Sequence, residues 1–247
     1  FGGTEDVHTH NISTFSDGSF IVVGRFEGTA NFGAITLTAD SSSNGFTAKF
    51  DSNGNNVWAT PFRGAVAFVP SLNTFDDGST IVSGRFRGTT TVAGTTFNSR
   101  GRYADTIVAK LDSNGNYLWG KHFTGTAERD ISRDLTVRSF ATLSDGSSIG
   151  FGLFSGPAIV GGVNIESLPT ARNPMMLSFD AFVVKLDSNG NTQWVKQFGS
   201  KLGHETPTSI SALSNGSSII TGNFAVQTLI DSTTFTSAGA SDIFTAA

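Results

Sequence analysis

The sequence predicts an all-β protein built from four copies of one antiparallel sheet, and three observations carry that expectation. A first turn marker recurs four times, as Ser16-Asp17-Gly18-Ser19, Asp76-Asp77-Gly78-Ser79, Ser144-Asp145-Gly146-Ser147 and Ser214-Asn215-Gly216-Ser217. Its glycines stand 60, 68 and 70 residues apart. A second turn, Asp-Ser-Asn-Gly-Asn, recurs at 51–55, 112–116 and 187–191, each time followed by Trp58, Trp119 or Trp194 and then by Phe62, Phe123 or Phe198. The composition agrees: 29 Gly and 22 Phe with only 15% charged residues suit many short strands joined by tight turns.

Each copy reads as four strands in sequence. Strand A ends at Phe15, Phe75, Leu143 or Leu213, and an Asp-Gly or Asn-Gly turn reverses the chain. Strand B holds three columns in register with that turn: Ile21, Ile81, Ile149 and Ile219; Gly24, Gly84, Gly152 and Gly222; Phe26, Phe86, Phe154 and Phe224. Strand C alternates as a pleated strand does, with Ile107, Ala109 and Leu111 on one face and Val108 and Lys110 on the other. The Asp-Ser-Asn-Gly-Asn turn then leads into strand D with its Trp. No stretch shows a helical period.

A lone four-stranded sheet leaves apolar faces uncovered, and sheets of about 60–70 residues cover each other by stacking around an axis. The chain is therefore expected to be a single β-propeller over 1–247 with repeats 1–61, 62–122, 123–197 and 198–247, the Trp, Phe and Ile columns forming the core between blades. The rival fold, a β-solenoid, has shorter coils. The last blade is incomplete: it stops at Ile243-Phe244-Thr245-Ala246-Ala247 inside strand C. A four-bladed ring and an arc of a larger propeller both fit. The chain opens at Phe1 without Met or a signal peptide and reads as an internal or processed piece of something longer.

The stretch Asp180-Ala181-Phe182-Val183-Val184-Lys185-Leu186-Asp187-Ser188-Asn189-Gly190-Asn191-Thr192-Gln193-Trp194 resembles the repeat of secreted bacterial β-propeller proteins of the SBBP type, and Asp105 to Trp119 matches it equally well. Repeat one departs, with Asn44-Gly45 at the strand entry. The resemblance implies a propeller blade and an exported, extracellular or cell-surface setting. It implies no activity, because a propeller hosts many functions.

Composition narrows the partners. The net charge of −4, with no Lys/Arg cluster, gives no footprint for nucleic acid. No apolar run approaches the roughly 18 residues of a membrane helix. There is no Cys, so thiol and disulfide chemistry are excluded, and the compartment stays open on that count.

Weighed for chemistry, the Asp-Ser-Asn-Gly-Asn turns have oxygen groups at alternate positions like the start of a calcium loop, but the downstream Glu is missing and the same residues suit a tight turn. They sit where the sialidase Asp-box would, without its Ser-x-Asp-x-Gly-x-x-Trp spacing. Of the 15 Asp, ten occupy repeated positions: Asp17, Asp51, Asp76, Asp77, Asp105, Asp112, Asp145, Asp180, Asp187 and Asp242. Such residues are expected to hold turns and strand entries. Asp6, Asp40, Asp130, Asp134 and Asp231 with the five Glu make a poor acid/base set. His8 and His10 point one way on a strand, but two His do not complete a metal site. We therefore expect no catalytic residue, metal or cofactor.

The informative irregularity is repeat three. Phe123 to Gly146 spans 23 residues against 16–18 in the other repeats, and Phe154 to Lys185 spans 31 against 23–24. In a blade both connections emerge on one face of the disc, and recognition concentrates on variable loops. Arg129, Asp130, Asp134, Arg172 and Met175 are the binding candidates, with neutral loop drift as the competing explanation. The function expected is a non-enzymatic structural or adhesive module of a larger bacterial surface protein, extracellular, contacting other protein chains or copies of itself. The alternatives are a lectin-like propeller that binds cell-surface glycans and, third, a polysaccharide-active enzyme.

Overall fold

The computed structural model describes residues 2–100, 104–126, 135–167, 178–200, 203–230 and 232–247; of residues 65–70 it describes the backbone. Every regular element among the described residues is a strand, so the all-β expectation holds. The chain divides into two units, Phe1–His122 and Phe123–Ala247, at the point where the sequence ends its second repeat and starts its third.

The first unit opens with β1 (Gly2–Gly3), followed by β2 (Val7–Thr14), β3 (Phe20–Phe26), β4 (Thr29–Phe32), β5 (Ile35–Thr38), β6 (Asn44–Phe50) and β7 (Asn56–Phe62). The second repeat gives β8 (Ala65–Thr74), β9 (Thr80–Arg87), β10 (Thr89–Val92), β11 (Thr95–Asn98), β12 (Asp105–Leu111) and β13 (Tyr117–Gly125), the last running through the division. In the second unit follow β14 (Leu135–Thr142), β15 (Ser148–Phe154), β16 (Pro157–Val160), β17 (Val163–Glu166), β18 (Asp180–Leu186), β19 (Thr192–Phe198), β20 (Glu205–Ala212), β21 (Ser218–Phe224), β22 (Gln227–Ile230), β23 (Thr233–Thr236) and β24 (Asp242–Ala246).

Strands A to D of the sequence pair as expected, antiparallel and in chain order, in β2-β3-β6-β7 and β14-β15-β18-β19. The order β8-β9-β12-β13 is the same, and the fourth repeat forms the three-stranded β20-β21-β24. One feature differs from the expectation of four strands per repeat. The B-to-C connection is not a loop but carries a two-stranded hairpin: β4-β5, β10-β11, β16-β17 and β22-β23. Four-residue strands rich in Thr and Asn give too weak an alternation to stand out, so the sequence conceals them. Two of the hairpins gain a third strand from the start of their own repeat: Gly2 and Gly3 pair with Asn31 and Ala30, and Thr124 and Gly125 pair with Ile159 and Ala158.

Each hairpin is entered through one residue with positive φ: Gly28 at 58°, Gly88 at 72°, Gly156 at 78° and, in the fourth repeat, Val226 at 62°. The carbonyls of all four accept a closing bond, from Ala39, Ser99, Ser167 and Ser237 N–H at 2.8, 2.8, 3.2 and 2.8 Å. The left-handed region costs an L-residue roughly 1–2 kcal/mol, more so for a β-branched one, whereas glycine reaches it freely at about 0.5–1 kcal/mol of extra chain entropy. Val226 is exposed, so little burial is lost by removing it. Val226→Gly is thus expected to stabilise the chain by about 1 kcal/mol; an unchanged or lower urea midpoint would count against strain at this position.

The Gly column of strand B has a steric cause. A Cβ on Gly24 would lie 2.0 Å from the His8 carbonyl oxygen and 2.8 Å from the Phe46 ring; on Gly152 it would meet the Thr136 carbonyl at 2.3 Å and Phe182 at 2.7 Å; on Gly222, the Thr206 carbonyl at 2.7 Å and Phe244 at 2.8 Å. Gly84 is the exception, its nearest neighbour being Phe62 at 3.7 Å. The strand C residue opposite Gly84 is Ile107 rather than a Phe, and β8 carries two register shifts where the other A strands have one. Gly24→Ala and Gly152→Ala are expected to cost about 1–3 kcal/mol through overpacking, and Gly84→Ala under about 1. Equal losses at all three positions by chemical denaturation would refute this account.

The core of each unit lies between its two main sheets. In the first, Ile21, Val23, Trp58 and Phe62 pack on Val82, Phe86, Ile107, Ala109 and Leu111. In the second, Ile149, Phe151, Val183 and Phe198 pack on Ile210, Ile220, Phe224 and Phe244. The polarity is the same both times: the face with the Ile column of the earlier sheet meets the face with the strand B Phe of the later one. The other face of the first sheet, with Val22, Phe26, Phe46 and Phe50, is covered by Ala30, Phe32 and Leu37 of the hairpin β4-β5. Each fully buried Phe contributes roughly 1.5–3 kcal/mol, so these columns dominate cohesion.

Candidate functional site

The repeated carboxylates are engaged by their own turns. Asp51 Oδ1 accepts the N–H groups of Asn53 and Asn55 at 2.9 and 2.7 Å, and its Oδ2 accepts Asn55 Nδ2 at 2.9 Å. Asp112 repeats this with Asn114 and Asn116, and Asp187 with Asn189 and Asn191. Hydrogen bonds from the Asn55 and Asn116 side chains hold the Asp51 and Asp112 carboxyls below the usual carboxylate range. At the A–B turn, Asp17, Asp77, Asp145 and Asn215 each accept the backbone N–H and the hydroxyl of the Ser two residues on. Strand C entries are held differently in each repeat. Asp105 pairs with His122 Nε2 at 2.8 Å, Asp180 accepts Ser178 Oγ at 2.6 Å and Gln197 Nε2 at 2.9 Å, and Asn44 donates to Asp40 Oδ1 at 2.8 Å.

Two features stand apart from this regular use of polar groups. The first is Glu205, the opening residue of β20, only 1% exposed and with both carboxylate oxygens buried and without a hydrogen bond. Its place opposite Phe224 is filled in other repeats by Val7 opposite Phe26 and Leu135 opposite Phe154. Burial pushes its pKa up to about 8; the neighbouring Thr228 hydroxyl, which stands outside good hydrogen-bonding geometry, opposes the rise, and the Asp180 charge adds to it. In sequence Glu205 belonged to the unpromising acids; the signal that finds it is one charged residue in an otherwise apolar column.

The second feature is the Trp column, whose members have different surroundings. Trp58 is 8% exposed, and the turn of the second repeat caps it: its Nε1 donates to the Ser113 carbonyl at 2.9 Å, Thr60 Oγ1 donates to the Gly115 carbonyl at 2.6 Å, and a Cβ on Gly115 would stand 2.6 Å from the indole. The expectation of a buried Trp column holds here. Trp119 is half-buried, and Trp194 is 37% exposed, which corrects that expectation for the third member. Trp194 lines a cavity of about 80 Å³ with Val183, Lys196, Phe198, Ile220 and Ala246.

The histidines are dispersed. His8 stands 3.6 Å from Asp6, and the β2–β3 register shifts between Thr9 and Asn11, around His10. Burial and the Arg25 charge lower the pKa of His10. His204 Nδ1 accepts the Phe179 N–H at 3.1 Å. Among the described residues no three His, Asp or Glu gather as a metal site. The loop candidates Arg129, Asp130, Asp134, Arg172 and Met175 lie outside the described residues. No family model matches the chain, and no curated protein is significantly similar to it.

Proposed function

We infer that this chain is a β-propeller repeat module with a non-enzymatic structural or adhesive role, part of a larger bacterial surface protein and acting outside the cell. The observation that supports this best is the head-to-tail sheet contact with the same polarity in both units. A contact between two different faces propagates instead of closing on itself, and with twisted four-stranded sheets propagation leads to a ring or arc of blades. The use of the repeated Asp side chains by their own turns fits a scaffold, since those groups are committed to holding the backbone. The likeness to secreted bacterial propeller repeats adds the exported setting.

A glycan-binding reading has its own support in Trp194 and Phe235, exposed aromatics of the kind that stack on sugar rings. Two measurements separate the possibilities. Small-angle scattering of the chain is expected to give the flat, short profile of a disc or arc of blades; a rod-like profile lengthening with repeat number would favour a solenoid. Binding of labelled chain to bacterial cells and a glycan array, with and without calcium and beside a heat-denatured control, is expected to show contact with cells or protein and no glycan specificity. Selective, heat-sensitive binding to one glycan class would replace the scaffold by a lectin.

A further inference from the structure

Glu205 is not the only polar group brought into its buried corner. Thr228, the second residue of β22, stands beside it, 0% exposed, and its Oγ1 has no hydrogen-bond partner among the described residues. In the first and third repeats the same two positions hold Val7 with Ala30 and Leu135 with Ala158. The other hydroxyl at this hairpin position, Thr90, donates to the Arg63 carbonyl. Where repeat three meets repeat four, an apolar pair is thus replaced by three buried, unsatisfied oxygens: Glu205 Oε1 and Oε2 and Thr228 Oγ1. Turning the hydroxyl onto the carboxylate would still leave one carboxylate oxygen buried alone. Unpaired buried oxygens are costly, and three at one spot point to a ligand that would satisfy them together.

The third side of this corner is Asp180, the first residue of β18, 0% exposed and near enough for its charge to act on Glu205. Its oxygens accept two neutral donors, Ser178 Oγ and Gln197 Nε2, the amide standing where the second repeat places His122. We propose that Glu205, Thr228 and Asp180 bind a calcium ion that ties repeat three to repeat four. Two carboxylates balance a divalent charge, and every donor is an oxygen, the hard set that suits calcium or magnesium and not the softer transition metals. Calcium fits better, because it takes carboxylate and other oxygens in irregular geometry, whereas magnesium keeps its waters and demands an octahedron. Gly199 provides the approach. It lines a cavity of about 400 Å³ with Lys196, Gln197, Phe198 and Leu229, and a Cβ on it would stand 2.4 Å from Asp180 Cγ, so only glycine leaves that carboxyl within reach of the cavity. With two acids the site is weaker than a dedicated calcium loop, and the Kd is expected at roughly 10⁻⁴–10⁻³ M, as in extracellular modules. Such an ion braces the junction whether the module serves as scaffold or lectin, so it goes beyond the role proposed above.

The test is calorimetric titration of the EDTA-stripped full chain with calcium chloride at pH 8, beside urea unfolding in 5 mM calcium, 5 mM magnesium or EDTA. One saturable calcium site is expected, with a higher urea midpoint in calcium than in magnesium or EDTA. Glu205→Gln keeps the shape of the side chain and is expected to weaken calcium at least tenfold and abolish the midpoint shift. Thr228→Val is expected to weaken it about threefold or more. Both variants are checked for an unchanged far-ultraviolet dichroism spectrum, so that lost binding is not lost folding. The proposal is overturned if no saturable binding and no midpoint shift occur up to 10 mM calcium, or if magnesium gives an equal shift. It is also overturned if the calcium effect survives Glu205→Gln and disappears instead in Asp187→Asn, which would place the ion at a turn. Unfolding at other pH values is followed in EDTA, which keeps calcium and proton effects separate.

Discussion

Stability of the chain is expected to fall by roughly 2–4 kcal/mol between pH 5 and pH 9, and Glu205→Leu to remove most of that fall. Unfolded Glu205 titrates near 4.5, while the folded carboxyl keeps its proton up to about 8. Between these values the native state binds more protons than the unfolded one, so each rise in pH favours unfolding. The contribution is fully present below about 4.5 and lost as pH passes about 8. The depressed carboxyls of Asp51, Asp112 and Asp145 act in the opposite sense and in another window, losing stability only as pH falls below the ordinary carboxylate range.

Leucine restores the apolar type that Val7 and Leu135 give this column, so Glu205→Leu is expected to be more stable at every pH, by about 1 kcal/mol at pH 5 and several at pH 9. Glu205→Gln separates charge from polarity. It is expected to flatten the pH profile while keeping the smaller cost of an unpaired buried amide. Urea unfolding of the three proteins at pH 5, 7 and 9 decides the matter. If wild type and Glu205→Gln share one slope, Glu205 does not titrate in this window.

The contrast between Glu205 and the turn aspartates shows what a single sequence can reveal. The strands, their order and the role of Asp17, Asp51, Asp112 and Asp187 were legible because each depends on neighbours within a few residues, and repetition made those local signals visible four times over. The hairpins were hidden by short strands of weak alternation, although positive-φ glycines two residues after the strand B Phe, Gly28, Gly88 and Gly156, mark their entry. The burial of Glu205 was not legible at all. It depends on what stands opposite β20, namely Phe224 on β21 and Thr228 on β22 beside it, and the notation of columns records residue type without recording cover. The same limit explains Gly84, whose column looks uniform until the opposite residue proves to be Ile107. The Trp column is the clearest instance: three identical contexts in sequence, three different exposures in space.

That last difference yields the second large effect. Trp58→Ala is expected to destabilise the first unit by about 3–5 kcal/mol, because it empties a packed position and orphans partners at once. The ring is enclosed by Gly115 and by the sheet faces that carry Ile21 and Leu111, and its N–H satisfies the Ser113 carbonyl. Trp58→Phe keeps most of the apolar contact and loses only the N–H, so about 1–2 kcal/mol is expected from it. Trp194→Ala, by contrast, is expected to cost about 1 kcal/mol or less in the free chain, since over a third of the residue already faces solvent. Denaturant titration with comparison of m-values guards against a change in the unfolded state. Equal costs at Trp58 and Trp194 would mean that the turn contributes nothing to holding the indole. A large gap between them gives the free energy that a turn supplies when it closes over this ring, the difference between an indole capped by Ser113-Asn114-Gly115 and one over a third exposed.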